Sequence, residues 1–62
     1  MLHYIRIDLW DYSNEKQRVI VTTTINNSRQ LAMNEIWKYA YIYAHIHNCK
    51  VLSVVHLMEE TI

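Results

Sequence analysis

Four histidines, His3, His45, His47 and His56, and one cysteine, Cys49, are the residues whose types could hold a soft metal or support nucleophilic chemistry. His45 and His47 are two apart, and on a helix that spacing turns their side chains about 200° away from each other. Neither that spacing nor His47 with Cys49 matches a zinc signature. Cys49 with His47 or His56 has the composition of a nucleophile and base. It falls just past the expected end of a helix, where the negative end of the dipole disfavours a thiolate. Asp8 and Asp11 could share a hard cation, but three residues apart at a strand end they lack a ligand loop. The chain has no glycine, so no Gly-rich loop can cradle a phosphate. These residues therefore predict no catalytic site, no metal site and no cofactor, and the expected histidine environment is hydrogen-bonded and half-buried.

The elements that must position these residues follow from periodicity. Residues 2–10 place Ile5, Ile7 and Leu9 in alternation with Tyr4, Arg6, Asp8 and Trp10, the period of two of a strand with one buried face. Residues 11–17 are polar and read as a hairpin loop in which Ser13-Asn14 serves the turn. Residues 18–25 alternate Val19, Val21, Thr23 and Ile25 with Arg18, Ile20, Thr22 and Thr24, a β-branched strand antiparallel to the first. Asn27 with Gln30, or Ser28 one residue later, can cap a helix. No strong breaker intervenes until Asn48, which suits the left-handed stop normally given to glycine. Residues 50–58 return to strand character, with Val51, Val55 and Leu57 expected toward the helix and Leu52, Val54, His56 and Met58 away from it. Residues 59–62 read as a frayed end.

The predicted fold is α+β: a ββαβ order forming a three-stranded, mainly antiparallel sheet in spatial order 2-1-3, with one long helix across one face. A chain of 62 residues and 7.5 kDa predicts a single domain spanning residues 1–62. Its apolar share of 52% and charged share of 19% place it among chains that fold. A single cysteine excludes an internal disulfide, and with no signal-peptide layout and no span long enough for a membrane the expected setting is cytoplasmic.

Apolar surface exceeds what this architecture can bury. On the helix, Ala32, Ile36, Tyr39, Ala40, Tyr43, Ile46 and His47 are expected to face the sheet, while Met33, Trp37, Ala44 and Tyr41 continue the apolar surface round the flank. Asn34, Glu35, Lys38 and His45 remain for a narrow wet face. Beyond the sheet, Leu52, Val54 and Met58, with Tyr4 and Trp10, form a second apolar face with no partner in the chain. Two expectations follow: homodimerisation, or a higher oligomer, through Leu52, Val54, Met58, Tyr4 and Trp10, and docking of another protein on Met33, Trp37 and Tyr41 with Lys38 and Glu35 on the rim. The functional reading is a small non-catalytic inhibitor, adaptor or regulatory protein. Its size class is common among phage and mobile-element accessory proteins that block a host enzyme. The alternative is a nucleic-acid platform of Tyr4, Arg6 and Trp10, with Arg18 nearby. Zero net charge and Asp8 in the middle of that face disfavour it.

Overall fold

The computed structural model describes Met1–Ile62 and contains β1 (Leu2–Asp11), β2 (Lys16–Ile25), α1 (Arg29–Ile46) and β3 (Cys49–Glu60). The fold is α+β with the expected ββαβ order. The sheet order is β2-β1-β3, with β1 central and antiparallel to both neighbours. No helix is long and apolar enough to cross a membrane.

The β1–β2 hairpin is longer than its loop composition suggests, because strand pairing reaches Asp11↔Lys16 and leaves only residues 12–15 as the turn. Asp11 closes it: its Oδ1 accepts the Ser13 and Asn14 amides at 3.0 and 3.2 Å, and its Oδ2 accepts Asn14 Nδ2 at 2.8 Å. Glu15, at φ 51, takes the left-handed position in place of the Ser-Asn pair. The open end of the hairpin is tied by Asn26 N to Met1 O and by the Met1 amino group to Asn26 O, both at 3.0 Å.

Ser28 caps α1, accepting the Leu31 amide at 3.2 Å. Gln30 does not reach back to Asn27 and donates instead to Asn34 Oδ1 at 3.0 Å. Asn48, at φ 54, ends the helical region in the left-handed conformation, as expected.

The core is thin. Ile5, Ile7 and Leu9 from β1 are fully buried against Ala32, Ile36, Ala40 and Ala44 of α1, with Ile20, Val51 and Val54 packed at the edges. The small side chains of Ala32, Ala40 and Ala44 in this four-residue series let the helix lie close on the sheet. Two sequence expectations change here. Ala44, expected on the flank, belongs to the core, whereas Tyr39, Ile46 and His47, expected inside, are exposed, Ile46 to 68%. The alanines pull the buried stripe round toward Ala44, since the backbone approaches most closely where side chains are smallest.

The β3 faces also differ from the alternating reading. Pairing with β1 shifts between Tyr4 and Ile5 and again between Asp8 and Leu9, leaving Leu57 and Leu52 as extra residues in the longer strand. Each bulge resets the alternation. Val54 and His56, expected on the far face, therefore stand opposite Ile7 and Ile5 on the helix side, and Val55, expected inside, stands opposite Arg6 on the far side. The strand also runs on to Glu60, so Glu59 and Glu60 pair with His3 and Leu2 and do not fray.

Candidate functional site

The helix lies over β1 and β3 more than over β2, so its two flanks differ. On the β3 side, Trp37 is half-buried and Tyr41 is 62% exposed, with their ring centroids 5.5 Å apart and the planes tilted by 31°. They are four residues apart on one regular helix, which stacks side chains one turn above another. Met33, one turn before Trp37, is half-buried against the core.

Beyond Tyr41 the surface dips into a shallow depression of about 580 Å³ lined by Tyr12, Tyr41, Ala44, His45, Cys49, Lys50 and Val51. Its shape comes from the Asn48 turn, which starts β3 beside the end of α1. The hairpin meets it there: Tyr12 N donates to Asn48 O and Asn48 Nδ2 donates to Ser13 Oγ, both at 3.2 Å. Sequence periodicity did not associate Tyr12, His45, Cys49 or Lys50 with the helix flank. The available signal was Asn48, the residue that forces the chain back along its own helix.

The structure brings together Met33, Trp37 and Tyr41 of the expected docking residues, and leaves Lys38 exposed. It separates Glu35 from them. Glu35 lies on the opposite flank and accepts a hydrogen bond from Thr24 Oγ1 of β2. The helical angle between Trp37 and Glu35 is about 160°, which a single rim cannot span.

Of the residues that could have supported chemistry, His45 is exposed at the lining of the depression and the others are each engaged by a neighbour. The Cys49 thiol donates to the His47 carbonyl at 3.4 Å, and the His47 ring lies 4.2 Å from that of Tyr43. Asp8 accepts from Ser53 Oγ at 2.5 Å and pairs with Arg6 Nε at 3.1 Å. The Ser53 hydroxyl, assisted by Arg6 and opposed by burial, holds the Asp8 carboxyl below its usual 3.8. Asp11 is held below the same value chiefly by the Asn14 side-chain amide, against burial, with the turn amides and Arg18 adding to it.

His3 and His56, remote from Cys49, form a pair beneath the start of α1. His3 is fully buried, with Nδ1 3.0 Å from His56 Nε2 and Nε2 3.3 Å from Asn26 O. A carbonyl only accepts, so His3 Nε2 carries a proton, and across the 3.0 Å contact one of the two facing ring nitrogens donates to the other. Burial, then Arg29, then His3 push the His56 imidazole below its usual 6.5, and Glu59 opposes them.

On the far sheet face, Tyr4, Arg6, Asp8 and Trp10 line up along β1 as the alternation predicts, and Met58 lies beside Tyr4. Leu52, at a bulge, is exposed, and Val54 is turned toward the core. Arg6 is held by Asp8, and Tyr4 Oη donates to Glu60 at 3.5 Å, so the candidate nucleic-acid platform carries carboxylates at its centre and at one end. No family model matches the chain, and no curated protein or solved structure matches it.

Proposed function

We propose that this chain is a small non-catalytic binding protein that acts in the cytoplasm as an inhibitor, adaptor or regulatory subunit, docking on another protein through the β3-side flank of α1. The observation that carries this reading is the Trp37–Tyr41 pair: one ring half-anchored in the fold, the other projecting from it, at the lip of the depression that runs to Lys50. Aromatic side chains on a regular helix lose little entropy on binding and supply large area, the properties of interface anchors. The engagement of Cys49, Asp8, Asp11 and the histidine pair within the fold supports a role without chemistry. The single half-buried, unpaired thiol suits a reducing compartment.

The test is affinity capture from a cell extract with three baits: wild type, Tyr41→Ala and Trp10→Ala. A protein retained by wild type and Trp10→Ala but lost with Tyr41→Ala supports the reading. Capture that depends on Trp10, disappears after nuclease treatment and weakens steeply with salt would instead establish the nucleic-acid alternative.

A further inference from the structure

The far face of the sheet has no cover within the chain. Along β1 it carries Tyr4, Arg6, Asp8 and Trp10, and on β2 Val19 and Val21 stand opposite Asp8 and Arg6, each more than half exposed. We propose that a second copy of this chain covers this face, with the two β1 strands packed antiparallel about a two-fold axis passing beside Ile7. The proposal does not rest on the reading of the helix flank.

The charge order selects the axis. A two-fold in the plane between the sheets and perpendicular to β1 exchanges residues displaced equally from Ile7. Arg6 then meets Asp8 of the second copy, and Tyr4 meets Trp10. The alternative axis, parallel to β1, stacks each residue on its own twin and sets Arg6 against Arg6 and Asp8 against Asp8, which like charges disfavour. The strand register extends the match: Ile20 stands opposite Ile7, so the same axis brings Val19 onto Val21 of the second copy. Both valines thereby leave water, and two packed sheets keep their strands within about 30° of alignment.

The two charges beside the axis do not oppose burial. Arg6 and Asp8 already pair at 3.1 Å within one chain, and Ser53 donates to the same carboxylate. Bringing two such pairs together about the axis makes a closed ring of alternating charge, in which no charge is buried without an opposite neighbour. The assembly is isologous and closes at two copies, leaving a helix on each outer surface.

Sedimentation equilibrium with circular dichroism tests it. Wild type is expected to be a dimer, and Val21→Asp, at a position exposed in the single chain, a folded monomer whose dimer dissociation constant is raised at least about 100-fold by an unpaired charge in the seam. Arg6→Glu and Asp8→Lys are each expected to weaken the homodimer, and a mixture of the two to form a heterodimer, since every contact across the axis again joins opposite charges. If a single charge variant fails to fold, the Val21→Asp result decides. A monomeric wild type, a Val21→Asp protein that still dimerises, or folded charge variants that do not recover on mixing would overturn the proposal.

Discussion

His56 Nε2 lies 3.0 Å from His3 Nδ1, joining β3 to β1 under the first turn of α1 across 53 residues of sequence. The charged groups around this pair are the Arg29 guanidinium, the Glu59 carboxylate, the Met1 ammonium on Asn26 O, and Glu35 on Thr24. His56 has its folded value pushed below 6.5, so on acidification the unfolded chain takes up a proton before the folded one does. Its contribution to stability is complete above 6.5 and is lost as pH falls through 6.5 toward the lower folded value. Denaturant midpoints are therefore expected to fall from about pH 7 to about pH 5. His56→Gln, whose amide can still bond His3 Nδ1 but does not titrate, should flatten that fall, and an unchanged pH profile would contradict this role.

A second acid limb belongs to the carboxylates. Asp8 and Asp11 titrate below 3.8 in the fold, so the stability they give is present above that value and is lost as pH drops below it. Removing the largest cause for Asp8 with Ser53→Ala should raise the carboxyl titration of Asp8 in an NMR pH series and leave that of Asp11 in place.

The phase of the helix is tested by a pair of variants. Ala44→Asp puts an unpaired carboxylate into the core and is expected to cost more than about 3 kcal/mol. Ile46→Asp, at an exposed position two residues on, should change stability by less than about 0.5 kcal/mol. Equal effects in chemical denaturation would show that the stripe is centred elsewhere.

Asn48 joins helix, hairpin and β3 through its positive φ and its two hydrogen bonds to residues 12 and 13. Replacing it by alanine should destabilise the fold by about 1 to 2 kcal/mol, from the left-handed backbone and the lost side-chain bond. Asn48→Gly should recover much of this in the same denaturation assay.

The strands, the helix, their order and the spatial order β2-β1-β3 were legible in the sequence because alternation in residues 2–10 and 18–25 is clean and Asn48 marks a definite stop. What was not legible depends on contacts between elements. Two bulges in β3 are set by pairing with β1, and no local pattern in residues 49–60 announces that Leu52 and Leu57 are the extra residues. Tyr39 and Ile46 read as core because they are apolar, yet close approach of Ala32, Ala40 and Ala44 turns them outward. Of the candidate docking residues, Met33, Trp37 and Tyr41 were visible from helical spacing. Their neighbours Tyr12 and Lys50 were not, since the Asn48 turn and the hairpin bring them there in three dimensions.

The proposed docking on the flank of α1 is tested most directly by calorimetry with the captured partner protein, comparing wild type with Tyr41→Ala and Trp37→Ala. Tyr41 projects from the fold, so its truncation should weaken binding by about 2 kcal/mol or more while the melting temperature stays near that of wild type. Trp37→Ala should weaken binding at least as much, with some loss of stability because that ring is half-buried. Affinity unchanged by Tyr41→Ala in a folded protein would contradict the account and remove the helix flank as the binding surface.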